Sequence, residues 1–304
     1  MINDFRQARE YQEFMRNSGA EIADLGEEEV AYVMRPLPII STSVVLRAKN
    51  PSSVSAADKL SRQSRSIYVA IAPRVEYGSE EAEVWEAELD KYGFKLASFG
   101  LAPTKTLVID LELPDDDILA QMKSKTRYNV RLSGRRGVTV KVIDGEALQA
   151  DSKYMDEFFT VYIDNCQRIK RRCENREQLE EMFEPFKANS FFVHAYDGEG
   201  EVISVASYLI AGNTVFYQMN GSTEKGRKDF APNLVVWESM LEGKRRGLKR
   251  FDFDGIYDDR YEKAQADWKG FSRFKVSFGG QEIKYLGAYM KWFPFLKKRV
   301  DAGS

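Results

Sequence analysis

Three apolar, strand-like segments in the second half of the chain are joined by two short glycine turns. The segments are FFVHAYD (191–197), VISVASYLIA (202–211) and TVFYQMNGS (214–222), and the turns between them contain GEG and GN. Short glycine turns between apolar runs are strong hairpin signals, because glycine adopts the positive φ angles that tight turns need. The sequence therefore predicts an antiparallel meander of three strands.

Predicted helices flank this meander on both sides. Residues 151–169 and 176–187 before it, and residues 232–246 after it, carry apolar side chains at helical spacing. Gly247 ends the last of these helices, and the strand RFDFDG (250–255) follows. Two helices, a meander, a helix and a strand is the element order of a GNAT-type acyltransferase domain. We therefore expect an α/β (α+β) fold with mixed sheets flanked by helices.

The first half of the chain has a comparable order of elements, although no residue-level repeat proves a duplication. The predicted helices are 3–18, 79–92 and 115–134, and the predicted strands are 30–35, 41–48, 66–75, 106–113 and 138–143. A chain of 304 residues is long enough for two cores. We expect two tandem GNAT-like domains, residues 1–145 and 146–276, with a C-terminal segment, 277–304, that packs back onto the first domain.

The hydropathy pattern predicts no membrane-spanning helix. No apolar run approaches the roughly 20 residues that such a helix needs, and the N-terminus, MINDFRQAREYQEF, is polar rather than signal-like. We therefore expect a cytoplasmic protein. A C-terminal run, YMKWFPFLKKRV (289–300), combines aromatic and basic side chains, which suits a weak, peripheral contact with the inner membrane face. The alternative is that its aromatic side chains pack onto the first domain.

Cysteine and histidine are too rare to indicate a metal centre. The chain has two cysteines, Cys166 and Cys173, and a single histidine, His194. One histidine and two separated cysteines do not make a zinc site, so no metal or other cofactor is expected. A pair of cysteines in a basic, helix-like stretch is not a secreted disulfide framework either, and we expect free thiols.

Five sequence blocks resemble the FemABX family and occur in the order that the family has. They are LAQMKSKTRYNVRLSGRRGVTV (119–140), YQMNGS (217–222), APNLVVWESM (231–240), FDFDGI (251–256) and WKGFSRFKVSFGG (268–280). Together they are spread over most of the range 100–290. The resemblance implies two GNAT-like domains, an aminoacyl-tRNA donor, a peptidoglycan precursor as acceptor, and no metal. Residues 222–232 leave no room for a long coiled-coil arm, so the chain resembles the minimal, FemX-like members.

The resemblance implies a non-ribosomal aminoacyltransferase. It would move an amino acid from aminoacyl-tRNA to the side-chain amine of residue three in the stem peptide of UDP-MurNAc-pentapeptide or lipid II, and would work as a monomer. Two alternatives stay open. One is a GNAT-like acyltransferase that acts on another amine, and the other is a non-catalytic module that binds anions or cell-wall precursors.

The resemblance assigns catalysis to Lys275 and Phe274 in RFKVSF, which the alternation of side chains predicts to be a strand. A fixed ammonium beside the developing oxyanion lowers the barrier to acyl transfer. Phe274 would pack against the acceptor adenosine or the peptide stem. The alternative for Lys275 is an edge-strand lysine that keeps the strand soluble.

The resemblance also implies substrate-binding side chains. Arg168 and Arg172, at i and i+4, would share one helix face and suit a pyrophosphate, although the family has a tyrosine where Arg172 stands. Tyr217 would contact the peptide or a phosphate, Arg35 would meet phosphate, and Asp110 would meet the acceptor amine. The alternatives are a solvated basic helix for the arginines and an ordinary strand aromatic for Tyr217.

The basic run KSKTRYNVRLSGRR (123–136) is a candidate surface for the tRNA backbone, even though the formal net charge of the chain is only -2. Clustered cations beside Tyr128 offer both phosphate attraction and a stacking surface. The candidates are Lys123, Lys125, Arg127 and Arg131. A solvated face that pairs with acidic segments of the same chain is the alternative.

Overall fold

The structure is a computed structural model that describes residues 4–37, 40–170 and 172–293. The described residues form two compact units. The N-terminal unit contains 6–37, 40–105, 257–268 and 283–293, and the C-terminal unit contains 4–5, 106–170, 172–256 and 269–282.

The helices are α1 (Arg9–Asn17), α2 (Ser52–Gln63), α3 (Glu80–Lys91), α4 (Asp115–Gln121), α5 (Ser124–Arg135), α6 (Gly145–Ala150), α7 (Ser152–Ile169), α8 (Arg176–Phe183), α9 (Glu224–Lys228), α10 (Ala231–Arg245) and α11 (Trp268–Val276). The strands are β1 (Glu21–Gly26), β2 (Glu29–Leu37), β3 (Ile40–Ala48), β4 (Ser66–Pro73), β5 (Lys95–Leu96), β6 (Lys105–Asp110), β7 (Thr139–Asp144), β8 (Ser190–Tyr196), β9 (Val202–Ala211), β10 (Thr214–Ser222), β11 (Arg250–Asp252), β12 (Gln281–Lys284) and β13 (Tyr289–Trp292).

The N-terminal unit is built on a six-stranded mixed sheet of order β1-β2-β3-β4-β13-β5, in which β3 and β4 are parallel and the other recorded pairs are antiparallel. Apolar side chains of α2 and α3 pack onto this sheet around the fully buried Trp85. The start of α3 is fixed by Ser79, whose hydroxyl accepts the N–H of Ala82, and three glutamates occupy its positive first turn.

The C-terminal residues 289–292 form β13 inside this sheet, where Tyr289 pairs with Ile71 of β4 and with Leu96 of β5. Phe293 is buried in the same core, whereas Trp292 is 66% exposed with its ring 5.2 Å from that of Tyr68. The rest of the run that we considered for membrane contact, 294–300, lies outside the described residues. The membrane contact therefore stays a prediction.

The C-terminal unit contains a seven-stranded sheet of order β12-β6-β11-β10-β9-β8-β7. The predicted meander is confirmed, because β8 pairs with β9 and β9 with β10, both antiparallel. Both faces of the meander are covered: Phe191 and Val193 join the core formed with α10, while the ring of Phe192 lies 5.5 Å from that of Phe158 in α7. Helices on both faces explain why β8 and β9 are apolar at nearly every position.

The division into units differs from the predicted domain boundary at residue 145. Residues 106–145 had been expected in the first domain, but β6 and β7 are strands of the C-terminal sheet. Residues 277–282 also lie in the C-terminal unit, and the other described residues of the predicted C-terminal segment, 283–293, lie in the N-terminal unit. A strand pattern in the sequence shows that a strand forms but not which sheet it joins, because pairing is a long-range contact.

Residues 222–232, all of them described, run from the end of β10 through α9 into α10. The prediction that no coiled-coil arm is inserted there is confirmed. None of the described helices is both long and apolar enough to cross a membrane.

The closing FGG of the sequence requires glycine for a steric reason. Gly280 has φ +91°, and a Cβ there would lie 2.5 Å from the Val108 carbonyl oxygen. Gly270, in the first turn of α11, has no atom within 4 Å of such a Cβ. We expect Gly280→Ala to lower the free energy of unfolding by about 2 kcal/mol or more, through strain and overpacking.

The matched control is Gly270→Ala, which should raise stability by up to about 1 kcal/mol because alanine favours a helix. Urea denaturation of both variants measures the difference. Equal denaturation midpoints for the two variants would contradict the close contact between Gly280 and the Val108 carbonyl group.

Candidate active site

The site forms where β10 and β11 separate. These two strands are parallel and pair from Thr214 opposite Arg250 to Phe216 opposite Asp252, and the pairing ends there. β10 continues alongside β9, with an irregularity after Tyr217. The backbone after Asp252 therefore leaves β10, and its carbonyl groups need partners from elsewhere.

Lys275 supplies the partner. Its Nζ donates hydrogen bonds to the carbonyl oxygens of Phe253, at 2.6 Å, and Gly255, at 2.9 Å. Only 8% of Lys275 is exposed. The prediction that RFKVSF is a strand is wrong, because Lys275 lies in α11. An alternation of three residues is too short to distinguish the two periods, and helical spacing instead brings Phe274 and Phe278 together at 5.1 Å.

The loop that holds Lys275 is fixed by a polar network. Asp252 Oδ1 accepts a hydrogen bond from the Thr106 hydroxyl and another from the Asp254 N–H, at 2.8 Å. The same Thr106 oxygen accepts the Gly255 N–H at 3.2 Å. Gln218 Nε2 donates to Asp254 Oδ2 at 3.1 Å. None of these four polar side chains was singled out from the sequence, although two aspartates at i and i+2 after an apolar strand were a visible signal.

Burial shifts the pKa of both kinds of charged group in this network. It lowers the pKa of Lys275 to about 8, against the opposing effect of the negative charges of Asp254 and Asp252. It raises the pKa of Asp252 to about 6, and the charge of Asp254 adds to that rise. At pH 7 the lysine is therefore largely protonated and Asp252 largely ionised.

Aromatic rings border the ammonium on two sides. The Nζ of Lys275 lies 5.1 Å from the ring centre of Phe271, which is 40% exposed, and 5.4 Å from that of the buried Tyr217. Both distances allow a cation–π attraction. Burial raises the pKa of Tyr217 above its ordinary value, so its phenol is neutral. Phe274 is half-buried and packs against the core of the same unit.

Arg168 and Arg172 do not share a helix face, so that prediction is wrong. α7 ends at Ile169, and Lys170 takes the left-handed conformation with φ 54°, which redirects the chain. Arg168 is exposed and donates to Asn165 Oδ1 at 2.7 Å, while Arg172 is exposed outside the helix.

The prediction of free thiols is also wrong. Cys166 and Cys173 form a disulfide with a Cα–Cα distance of 6.2 Å, within the range that such bonds need. The turn at Lys170 brings the two residues together, and sequence spacing alone does not show such a turn. The basic residues between them thus lie on a closed loop.

The other predicted binding residues are at the surface. Asp110 ends β6, accepts the Glu112 N–H at 2.9 Å, and is exposed. It lines a pocket of about 370 Å³ together with Val108, Glu112, Leu113, Gln121, Arg250, Gly280 and Gln281. Arg35, in the N-terminal unit, is exposed and pairs with Glu21 at 2.7 Å.

The four candidates for tRNA contact divide into two kinds. Lys123, Lys125 and Arg131 are exposed at or on α5. Arg127 is half-buried, and its Nη1 donates to the carbonyl oxygens of Ala120, at 2.9 Å, and Met122, at 2.6 Å. Since these carbonyls belong to the end of α4, Arg127 has a structural role as a C-terminal cap of that helix.

Comparison with known proteins identifies the family. The model of the FemAB family matches residues 145–294. UDP-N-acetylmuramoylpentapeptide-lysine N(6)-alanyltransferase of Weissella viridescens is 23% identical, over 84% of this chain and 86% of that protein. Lipid II:glycine glycyltransferase of Staphylococcus aureus is 21% identical, over 88% of this chain and 80% of that protein. The chain belongs to the FemABX family. The predicted family and enzyme class, an aminoacyltransferase, are thereby confirmed.

Solved structures agree with the fold of this FemABX protein. The crystal structure of FemX superposes with a TM-score of 0.79 at 15% identity, over 96% of this chain and 92% of that one. A tandem GNAT protein from the clavulanic acid biosynthesis pathway gives a TM-score of 0.53 at 10% identity, over 87% and 78%. These likenesses concern the fold, and they confirm the predicted pair of GNAT-like domains.

The disulfide of this FemABX protein can be tested directly. Cys173→Ser opens a loop closed by residues seven apart, and the chain-entropy model then predicts a loss of about 2 kcal/mol in the free energy of unfolding. Urea denaturation measures it, and dithiothreitol should give the wild type the same loss. If iodoacetamide alkylates both thiols of the folded wild type without reductant, as judged by intact mass, the disulfide does not form.

Proposed function

We propose that this FemABX protein transfers an amino acid from aminoacyl-tRNA to the side-chain amine of residue three in the stem peptide of a peptidoglycan precursor. The names of the two relatives support this class of acceptor, since one is named for a UDP-linked pentapeptide lysine and the other for lipid II. The product would be an interpeptide bridge or branch. The observation that carries the proposal is the fixed, buried ammonium of Lys275.

The reaction needs no covalent enzyme intermediate. The acceptor amine attacks the carbonyl carbon of the aminoacyl ester, a C–N bond forms, and the carbonyl oxygen becomes an oxyanion. The C–O bond to the ribose then breaks, the amine nitrogen loses a proton, and the ribose oxygen gains one. Because the ester is already activated, alignment of the two substrates and stabilisation of the oxyanion supply most of the catalysis.

Lys275 is suited to stabilise that oxyanion. An ammonium has three N–H donors, and two of them are committed to the carbonyls of Phe253 and Gly255. These two bonds fix the direction of the third donor before the substrate arrives. A preorganised cation away from bulk water is worth far more to a transition state than one on a solvated chain. Phe274, on the same helix, is proposed to contact the acceptor adenosine or the peptide stem.

Exposed cations support the binding of phosphate on both substrates. Arg168 uses one of its five donors on Asn165, so the rest of the guanidinium is available to a pyrophosphate. Arg172 is proposed to assist from the disulfide-closed loop, and Lys123, Lys125 and Arg131 to follow the tRNA backbone.

The resemblance also assigns substrate contacts to Arg35, Asp110 and Tyr217. Arg35 is already paired with Glu21, so a phosphate must compete with a carboxylate. Asp110 is exposed at a strand end, where it lines a pocket, and it is proposed to meet the acceptor amine. Tyr217 is 4% exposed, so its contact with substrate would be limited to the small part of its surface that is open.

The decisive experiment is a transfer assay. The purified protein is incubated with a charged tRNA pool and with both UDP-MurNAc-pentapeptide and lipid II, and mass spectrometry identifies the amino acid that moves and its acceptor. Transfer to the stem peptide supports the proposal. Turnover with acyl-CoA instead would refute it in favour of a GNAT-like acyltransferase that acts on another amine. Tight precursor binding without transfer would refute it in favour of a non-catalytic binding module.

We expect Lys275→Met to reduce kcat by about two to three orders of magnitude, the usual loss for one oxyanion donor. Methionine has a similar length and suits a buried position, so the fold and precursor binding should be retained. The matched control is Arg273→Met, which removes an exposed cation from the same helix and should leave kcat near the wild-type value. Near wild-type turnover by Lys275→Met would remove Lys275 from the mechanism.

We expect Arg168→Ala to weaken binding of the UDP-linked precursor by about tenfold while affecting the free stem peptide little, because the partner of Arg168 is phosphate. Titration calorimetry with both ligands measures the difference. Lys153→Ala, near the start of the same helix, is the control and should change neither affinity. Equal losses for the two ligands would refute the phosphate assignment.

A further inference from the structure

Thr106 and Asp252 form a buried pair behind the loop that holds Lys275. Thr106 is 1% exposed and Asp252 4% exposed. They come from β6 and β11, neighbouring antiparallel strands, where Asp252 pairs with Val108. The Thr106 hydroxyl is used twice, since it donates to Asp252 Oδ1 and accepts the N–H of Gly255. One hydroxyl thus joins Asp252, the residue before the 253–255 loop, to Gly255, the last residue of that loop.

The 253–255 loop has two residues with positive φ angles. Asp254 has φ 47° and Gly255 has φ 115°, both in the left-handed half of conformational space. This conformation is unfavourable for most residues other than glycine, and aspartate tolerates it through local hydrogen bonds. Here Asp252 Oδ1 accepts the Asp254 N–H at 2.8 Å, as in an Asx-type turn, and Gln218 holds the Asp254 carboxylate. The carbonyls of Phe253 and Gly255 converge on one nitrogen as a result.

We propose that Thr106 and Asp252 are positioning residues for Lys275, which hold the 253–255 loop in the one shape that presents two carbonyl oxygens to its ammonium. This inference rests on the proposed function of Lys275. Neither residue contacts the reacting atoms, and both act through the direction and the charge of the lysine.

The charge of Asp252 has a second effect. The groups that face Lys275 are Asp254, Asp252 and the neutral Tyr217, and Asp252 in turn faces Asp4. Burial favours the uncharged lysine, whereas the two carboxylates favour the cation. An ionised, buried carboxylate is unfavourable for folding by itself. We infer that the Asp252 carboxylate keeps Lys275 protonated at neutral pH.

Two variants separate the shape of the loop from its charge. Asp252→Asn keeps an oxygen at Oδ1 for both of its hydrogen bonds, removes the charge and replaces Oδ2 by an amide nitrogen. Thr106→Val keeps the volume and removes the hydroxyl that joins Asp252 to Gly255. Thr106→Ser restores the hydroxyl, and Thr214→Val, at another fully buried strand position, is the control for the loss of a threonine.

The first readout does not depend on activity. The pKa of Lys275 is measured from the pH dependence of its acetylation by acetic anhydride, quantified by peptide mass spectrometry. We expect Asp252→Asn to lower this pKa by about one unit. The lysine then loses its proton at a lower pH, so the high-pH limb of the kcat profile should move down by the same amount. An unchanged pKa would overturn the electrostatic part of the proposal.

The second readout is kcat against KM. We expect Thr106→Val to lower kcat about tenfold or more with KM nearly unchanged. An ammonium that is no longer fixed stabilises the transition state less well, whereas binding of the substrate does not depend on it. Thr106→Ser should recover most of the loss, and Thr214→Val should show none. Full activity of a folded Thr106→Val would overturn the positioning role. If Thr106→Val does not fold, the Asp252→Asn and Thr106→Ser arms decide.

The outcomes also distinguish this inference from the proposed function. A wild-type protein that transfers no amino acid, but whose Lys275 pKa falls in Asp252→Asn, would refute the function and retain the role of the pair. An inactive Lys275→Met together with a fully active Thr106→Val would retain the proposed function and refute the positioning role of Thr106.

Discussion

A buried ammonium at the end of a short parallel strand pair is the interaction on which the rest of the site depends. Lys275 carries a charge into a place where only 8% of it meets solvent, and such a charge is stable only if fixed dipoles and counter-charges replace water. Two carbonyls and two aspartates provide them. The polar character of the FDFDG loop therefore follows from the lysine that it surrounds.

The topology of the sheet explains why backbone carbonyl groups are available to Lys275. β10 and β11 are parallel neighbours in a sheet whose other recorded pairs are antiparallel, and a parallel pair needs a crossover, which α9 and α10 provide. β10 and β11 share only three residue pairs before they separate, and the carbonyl groups of Phe253 and Gly255, which follow β11, bind Lys275 instead of β10. Tyr217, Phe251 and Phe253, which lie beside this separation, belong to the apolar core that includes the side chains of α10.

The path of the chain explains why no single cut separates the two units. The loop after β11 and α11 both belong to the C-terminal unit, yet residues 257–268 between them fold with the N-terminal unit. β13 likewise returns to the N-terminal sheet and takes an interior position there. An interior strand contributed by the chain end cannot be removed without exposing two strand edges.

The sequence by itself determined many of the local elements and the family, and it singled out Lys275 as a candidate. The meander, α7 and the absence of an arm at 222–232 follow from periodicity, glycine turns and segment length, which are local signals. The single helix predicted over 115–134 is instead two helices, α4 and α5. Only the tertiary structure decided the sheet to which β6 and β7 belong, the helical state of Lys275, the end of α7 before Arg172, and the Cys166–Cys173 disulfide. The partnership of Thr106 with Asp252 joins residues 146 positions apart. Such contacts depend on which strands pair and where a helix turns away, and no local pattern of side chains encodes either.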